Sequence, residues 1–277
     1  LSLLVKLGVQ FGLFGGAVAR LGTERHHAEH LEQIMTGKLL GAFAMTEVGH
    51  GSNVARLETT ATYDHETGDL VVHTPTESAV KTYIGNAARD GRMAVVFAQL
   101  ITDEGSHGVH AVLVPVRDEA GNALPGVTIG DNGVKAGLPG VDNGTFAFDQ
   151  VRVPKANLLN AFGDIDDEGQ YVSPIDSENR RFFTMLGTLV RGRVCVGGGA
   201  GSAAKKALAI ALRYGDQRYI INKEAEARLN RTLDAVYADG TRGHEWLNLY
   251  HDSAAPCRLL IAPGVPITIE TEPCLGD

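Results

Sequence analysis

Short apolar segments separated by turn residues fill residues 40–154. The threonine-rich segment 57–63 and the apolar segment 69–75 flank the turn sequence DHETG, which predicts a β-hairpin. Longer apolar runs are typical of buried strands. Many short strands joined by Gly, Asn and Asp turns predict a small barrel or sandwich. The further predicted strands are residues 93–102, 109–116 and 145–154.

Helical patterns flank this β region on both sides. Residues 1–40 favour helices, and within residues 23–35 three apolar side chains follow helical spacing on one face. Thr23 is a suitable N-cap for that helix, and Gly37 is a natural stop. The three apolar residues are Leu31, Ile34 and Met35.

After the β region the chain again favours helices. Residues 203–214 are strong helix formers, and residues 222–240 predict one more helix that ends at Gly240. Four prolines interrupt residues 255–277, where we expect one strand. The fold class predicted is therefore α+β. Its expected parts are a helical segment 1–40, a middle β-domain 41–160, a second helical segment 177–240 and an unassigned tail 241–277.

The composition excludes several classes of protein. The net charge is −8 and the chain has no basic tract, which argues against a nucleic-acid partner. Its three cysteines show neither CxxC nor zinc spacing, as expected in a reducing compartment. We expect no membrane span, because no apolar run is long enough to cross a membrane. The apolar N-terminal stretch is interrupted by Lys6 and Gln10, and we interpret it as a buried helix and not as a signal peptide. The chain begins with Leu1, and we expect it to be part of a longer protein.

Several local patterns resemble functional motifs. His26 and His30 stand four residues apart, but a third ligand is missing, so we predict a solvated helix face and no metal site. The glycines of GGGAGS, residues 197–202, lack the context of a dinucleotide loop and favour close helix packing. Glu47 lies in a glycine-rich turn, where a carboxylate more often tethers backbone than acts as a base.

The most informative stretch is AMTEVGHGSNV, residues 44–54, followed by KTYIGNA, residues 81–87. Small polar side chains around glycines let a backbone approach a ligand closely. Together the two stretches resemble the acyl-CoA dehydrogenase and acyl-CoA oxidase superfamily. The HG within the first turn is similar to the oxidase branch. Further stretches resemble the same branch in the same order, among them LETTATYD, HGVHAVLVPVRD and RFFTMLGTLVRGRV, so that the resemblance covers residues 1–215.

The resemblance implies that these two motifs clamp the isoalloxazine ring of FAD. Thr46 matches the threonine that bonds the pyrimidine edge of the flavin, and Gly85 matches the position near flavin N5. Gly51 and Ser52 match the end of the turn, near the diphosphate and the acyl-CoA entry. Glycines at such places admit a flat ring against the backbone. The cofactor-binding residues implied are Thr46, Glu47, Gly49, Gly51, Ser52, Tyr83, Ile84, Gly85 and Asn86.

The activity implied is oxidation of fatty acyl-CoA by O2 to trans-2-enoyl-CoA and H2O2, in a homodimer. In this family a C-terminal glutamate takes the C2 proton as hydride leaves C3 for the flavin. No stretch here matches that glutamate, and residues past Ile220 resemble nothing in the family. No catalytic residue is therefore assigned, and we expect this chain to be an incomplete oxidase.

Two alternatives stay open. One is a dehydrogenase that passes electrons to a flavoprotein partner. The other is a non-catalytic remnant that binds FAD or acyl-CoA. The compartment expected is the cytoplasm for a bacterial protein and the peroxisome for a eukaryotic one.

Overall fold

The computed structural model describes residues 2–135, 140–207, 210–214, 217–221, 223–237, 245–249, 257–261 and 267–271. The chain divides into two compact units, residues 1–193 and 194–277. Each unit is described by itself below.

The first unit begins with one continuous helical stretch, Ser2–Leu21. It comprises α1 (Ser2–Leu7), a π-helical segment (Gly8–Phe14) and α2 (Gly15–Leu21). This stretch is long and apolar enough to cross a membrane by length and composition, so the expectation that no segment meets that criterion is wrong. Its inner face is buried in the core of the unit through Phe14, Ala17, Val18 and Leu21.

A second helical stretch begins after Thr23. It comprises α3 (Glu24–His26), a π-helical segment (His27–Leu31) and α4 (Glu32–Met35). Thr23 caps it as predicted, and Gly37 adopts a left-handed φ of 71° just after its end.

The prediction of which side chains of this second stretch are buried and which are solvated is partly wrong. Ile34 is buried, but Met35 is exposed, because the helix ends there and the chain turns away. His26 and His30 are buried and not solvated. His26 completes a capping box: its Nδ1 lies 3.1 Å from the backbone N of Thr23, which donates to it.

Eleven strands of the first unit are described. The predicted hairpin is present, with its first strand shorter than expected. The strands are β1 (Gly41–Ala44), β2 (Thr60–Asp64), β3 (Asp69–His73), β4 (Lys81–Gly85), β5 (Met93–Thr102), β6 (Gly105–Pro115), β7 (Val127–Asp131), β8 (Asn143–Phe148), β9 (Val151–Pro154), β10 (Asp164–Ile165) and β11 (Tyr171–Val172).

Two of the sheets enclose a common core. In the six-stranded sheet, β5 pairs with β1 and β2 in parallel along one edge and with β6 on the other, while β3 and β9 extend it beyond β2. The other sheet has the order β4-β8-β7. Val96, Val112, Phe146 and Phe148 belong to the core that these sheets share.

The opposite face of the six-stranded sheet is covered as well. There Val95, Phe97 and Leu113 pack with Phe14 and Ile34 of the N-terminal helices. Burial on both faces explains why β5 and β6 are nearly continuous apolar runs and not alternating patterns. The sheets and helices thus agree with the α+β prediction in its coarse form.

One predicted strand is divided in the structure. Residues 145–154 were expected to form a single strand, but β8 and β9 belong to different sheets. The chain turns between them at Gln150, which has a left-handed φ of 51°. Polar residues at the centre of an otherwise apolar run marked this turn.

Helix α5 (Glu178–Leu186) follows, and the Ser177 hydroxyl accepts a hydrogen bond from the Arg180 backbone N at its start. Helix α6 (Thr188–Ala207) comes next. The glycines of GGGAGS therefore lie within a helix. A Cβ added to Gly197, Gly198 or Gly199 would meet no atom of the described chain within 4 Å, so close packing does not explain them here.

The second unit differs from the predicted helical segment. Strand β12 (Ile210–Tyr214) occupies the end of the predicted helix 203–214, because it pairs with β13 (Gln217–Ile221) and with β16 (Ile267–Thr271). Such non-local pairing overrides local helix propensity. Helix α7 (Lys223–Tyr237) agrees with the prediction within the described residues.

The tail also holds more strand than expected. β14 (Glu245–Leu249) pairs with β15 (Cys257–Ile261), so that the one strand expected after residue 255 becomes two, β15 and β16. Leu229 of α7 and Leu247, Leu259 and Ile261 of the strands form a small apolar cluster of their own.

Candidate functional site

The structure brings the two motif segments together. The turn after β1 runs antiparallel to the chain that enters β4. The backbone N of Thr82 donates to Thr46 O at 3.0 Å, and that of Val48 donates to Val80 O at 3.0 Å. The backbone N of Gly49 donates to Ser78 O at 2.8 Å. Stretches 44–54 and 81–87, separated along the chain, therefore form one surface.

The Glu47 carboxylate points into the protein. It is buried and accepts hydrogen bonds from the backbone N of Glu58 at 2.7 Å and from the backbone N and hydroxyl of Thr59 at 3.0 and 2.6 Å. The carboxylate is a backbone tether, as the sequence favoured. Because its oxygens are engaged, any contact of Glu47 with a ligand is left to its main chain.

Lys81 completes this buried cluster. Its ammonium group, fully inaccessible, lies 2.9 Å from Glu47 Oε1, 3.3 Å from Met45 O and 2.6 Å from Phe97 O. Burial lowers the pKa of Lys81 to about 8, against the attraction of Glu47. The sequence contains a signal for this pair, namely a lysine at the start of a strand that follows an acidic turn. The resemblance assigned no role to Lys81.

The end of β4 has an irregular backbone. Tyr83 and Asn86 have left-handed φ values of 56° and 67°, and the pairing with β8 shifts between Lys81 and Ile84. Such conformations in residues other than glycine are uncommon and cluster at functional sites. The Tyr83 side chain is exposed, whereas Ile84 is buried.

Asn86 carries an unpaired buried atom. Its Nδ2 donates to Gly41 O at 2.8 Å, which ties the end of β4 to β1. Its Oδ1 is buried and has no partner among the described residues. Buried polar atoms normally have a partner, so an orphaned acceptor at this place is consistent with a missing ligand or water.

The three glycines of the site have different surroundings. A Cβ on Gly85 would lie 2.7 Å from Val9 Cγ2, so the close approach of the first helix requires glycine there. A Cβ on Gly49 would lie 2.9 Å from Ser78 Cβ. At Gly51 it would meet no described atom within 4 Å, which leaves open space above the turn.

The outward side of the turn carries free hydroxyls. Neither the half-buried Thr46 hydroxyl nor the exposed Ser52 hydroxyl forms a hydrogen bond within the described part of the chain. Thr46 lies beside Thr82, at the join of the two motif segments. These hydroxyls are available to a ligand.

A polar cluster lies next to the turn. The His50 imidazole lies 2.9 Å from Glu58 Oε1, and Glu58 also accepts hydrogen bonds from the hydroxyls of Thr76 and Ser78. Those two hydroxyls, followed by His50, lower the pKa of the Glu58 carboxyl. Sequence analysis missed Glu58, Thr76 and Ser78, since no spacing rule connects them with residue 50.

Metal-binding geometry is not found in the described ranges: no three His, Cys, Asp or Glu side chains there form a group that could hold an ion. The buried imidazole of His26 instead lies 3.0 Å from Ala156 O.

The comparisons with known proteins agree on one family. Residues 42–151 match the model described as acyl-CoA dehydrogenase, middle domain. The chain is 48% identical over 217 residues to an acyl-coenzyme A oxidase-like protein of Mus musculus, covering 78% of this chain and 34% of that protein. It is 45% identical over 213 residues to the peroxisomal acyl-coenzyme A oxidase 3 of Arabidopsis thaliana, covering 77% and 32%.

Solved structures give the same result. Acyl-CoA oxidase 1 of Arabidopsis thaliana superposes with a TM-score of 0.68 at 35% identity, over 73% of this chain and 31% of that one. Acyl-CoA oxidase-2 of Caenorhabditis elegans, bound with FAD, ascaroside-CoA and ATP, gives a TM-score of 0.68 at 32% identity, over 73% and 30%. The chain thus spans about a third of the length of the curated relatives it matches.

Proposed function

We propose that this chain, a homologue of acyl-CoA oxidases that carries the middle domain of the acyl-CoA dehydrogenase family, supplies the flavin-binding surface of an acyl-CoA oxidase. The observation that carries the proposal is the join of the two motif segments, where the Thr82 backbone N donates to Thr46 O. Residues far apart in sequence there present free polar groups and open space on one surface.

The residues present fit FAD. The Thr46 hydroxyl is free within the described chain, the buried Asn86 Oδ1 lacks a donor, and the space above Gly51 is open. A flavin ring carries both donors and acceptors along its pyrimidine edge, so it can satisfy groups of both kinds. When bound, FAD supplies the acceptor for the hydride that leaves the substrate.

The chain's own residues have binding and orienting roles in this proposal. Thr46 and the end of β4, from Tyr83 to Asn86, hold the ring, and Gly51 and Ser52 line the space toward the diphosphate. Neither glutamate of the site is free to act as a base. Glu47 is engaged by Lys81 and by three donors of residues 58 and 59, and Glu58 by His50, Thr76 and Ser78. The proposed function of this chain alone is therefore binding, with proton abstraction not assigned.

The substrate proposed is a fatty acyl-CoA and the electron acceptor is O2. Relatives named acyl-CoA oxidases support the oxidase over the dehydrogenase. By the resemblance Gly85 lies near flavin N5, where a residue without a side chain would favour oxygen by leaving that side of the ring open. The close approach of Val9 to Gly85 is a structural reason for glycine at this position, independent of oxygen reactivity. This residue alone therefore does not separate oxidase from dehydrogenase activity.

The assembly proposed is a homodimer, on the family resemblance. The compartment proposed is the peroxisome, because relatives from plants and animals are named peroxisomal. The same names do not support the cytoplasmic expectation.

The test is an absorbance titration of the purified 277-residue chain with FAD, from the near ultraviolet to the blue. We expect a resolved, protein-bound oxidised flavin spectrum and no H2O2 above the blank on addition of a fatty acyl-CoA and oxygen. Peroxide formation would assign the complete oxidase activity to this chain. A spectrum identical to free FAD at every concentration would contradict the proposal.

A further inference from the structure

We propose that the buried Glu47–Lys81 pair is a positioning device that locks the turn 45–49 to strand β4, so that the two segments become ordered as one unit. This proposal rests on the proposed function insofar as the same two segments hold the flavin. It concerns side chains that face away from the ligand surface.

The geometry joins three separate pieces of chain. An ammonium group has three N–H donors, and Lys81 presents them to Met45 O, Glu47 Oε1 and Phe97 O. Two of these acceptors belong to the turn and the third to β5. The Glu47 carboxylate in turn fixes the backbone of Glu58 and Thr59. Every polar atom of the pair is thus used within a fully buried site.

A buried ion pair of this kind fixes the relative position of the chain segments that it joins more than it stabilises the fold. Replacing a buried ion pair by apolar side chains of similar volume is often neutral for folding, because the desolvation of two charges offsets their attraction. Three fixed acceptors, however, define one position for Lys81 Nζ. Apolar contacts are non-directional and tolerate small slips of the chain.

The position of Lys81 matters because the rest of β4 depends on it. The irregular pairing with β8 begins after Lys81, and the left-handed residues Tyr83 and Asn86 follow within five positions. Strained conformations persist only where the surroundings determine them strongly. A displacement of Lys81 would therefore loosen the end of β4 as well as the turn 45–49.

The experiment compares amide hydrogen exchange in the full-length chain without FAD and, in parallel, the dissociation constant for FAD. The informative variant is the double substitution Lys81→Met and Glu47→Gln, which removes both charges but keeps side-chain volume and an oxygen acceptor at position 47. We expect its thermal unfolding midpoint to remain within a few degrees of wild type. We also expect residues 45–49 and 81–86 to exchange about tenfold faster together, and FAD to bind about tenfold more weakly.

The matched control is Leu70→Val, in the core strand β3 away from the pair. We expect it to leave exchange in residues 45–49 and 81–86 unchanged at a similar loss of stability. If it accelerates both segments as the double variant does, the effect is general softening and the proposal is wrong. If the double variant does not fold, Glu47→Gln alone replaces it, with an expected acceleration of about threefold in both segments and the same control.

The outcomes separate the two proposals. Unchanged exchange in both segments of the charge-free variant overturns the positioning role, whatever happens to FAD. Accelerated exchange in both segments supports it. If wild type then binds no FAD, only the flavin proposal fails, because the coupling of the segments was measured without ligand.

Discussion

The inward and outward sides of the turn after β1 differ in how their polar groups are used. On the inward side, Glu47 and Lys81 are buried and engage every available partner. On the outward side, the side-chain hydroxyls of Thr46, Ser52 and Tyr83 have no partner within the described chain. One short motif thus combines residues that build the surface with residues that are left to bind. An outward substitution should therefore change ligand affinity with little change in stability, whereas removal of one inward partner alone should lower stability.

The largest effect is expected from Glu47→Ala on the inward side. It leaves the buried Lys81 charge without its counter-charge and the backbone N of Thr59 without its acceptor. Breaking a buried pair in this way lowers the free energy of unfolding by about 3–5 kcal/mol. Urea unfolding followed by circular dichroism measures it. Exposed Glu66→Ala is the control and should leave the midpoint unchanged. A loss of less than about 1 kcal/mol at Glu47 would erase the contrast between the two sides.

The pH dependence of stability should also report the inward side. Burial lowers the pKa of Lys81 from 10.5 to about 8. Between these values the unfolded chain holds a proton that the native chain has lost. The free energy of unfolding therefore rises with pH across this window, by roughly 3 kcal/mol from this group. Other groups titrate there too, so the quantity to measure is the difference between wild type and the double variant Lys81→Met and Glu47→Gln. Parallel stability curves from pH 7.5 to 10.5 would contradict the assignment.

Gly85, at the end of β4, provides a further test of the comparison, because its surroundings are set by the first helix and not by the turn. An added Cβ would lie 2.7 Å from Val9 Cγ2, so Gly85→Ala should lower the free energy of unfolding by about 1–3 kcal/mol through overpacking. Val9→Ala in the same chain should relieve part of that loss, because it removes the clashing methyl groups. A double-mutant cycle measures the coupling. Additive losses would show that the helix contact is not the reason for glycine at position 85.

The sequence predicted the middle of the molecule better than its C-terminal part. Strands β5 and β6 were recognisable because burial on both faces produces continuous apolar runs. Strand β12 was not, because residues 203–214 favour a helix locally and only pairing with distant strands makes 210–214 extended. Local pattern is informative where long-range contacts reinforce it, and it fails where they oppose it.

The candidate site shows the same limit at the scale of single residues. The resemblance selected Thr46, Gly51 and Asn86, and the structure brings the stretches that contain them together. It did not separate Glu47, whose carboxylate faces inward, from Thr46 beside it. That distinction depends on Glu58, Thr59 and Lys81, which reach the turn only through the folded chain. A motif can locate a surface, whereas the orientation of each side chain requires the tertiary contacts.

The smallest change in stability is expected on the outward side, from Thr46→Val. Valine keeps the shape of threonine and removes a hydroxyl that has no partner in the described chain, so the free energy of unfolding should change by less than about 0.5 kcal/mol. The dissociation constant for FAD should nevertheless rise about tenfold, because a hydrogen bond to the ligand is lost. Thr62→Val, on an exposed position of β2, is the matched control and should change neither quantity. If Thr46→Val instead lowers stability and leaves FAD affinity unaltered, then Thr46 belongs with Glu47 on the structural side, and the surface proposed for the flavin has to lie elsewhere.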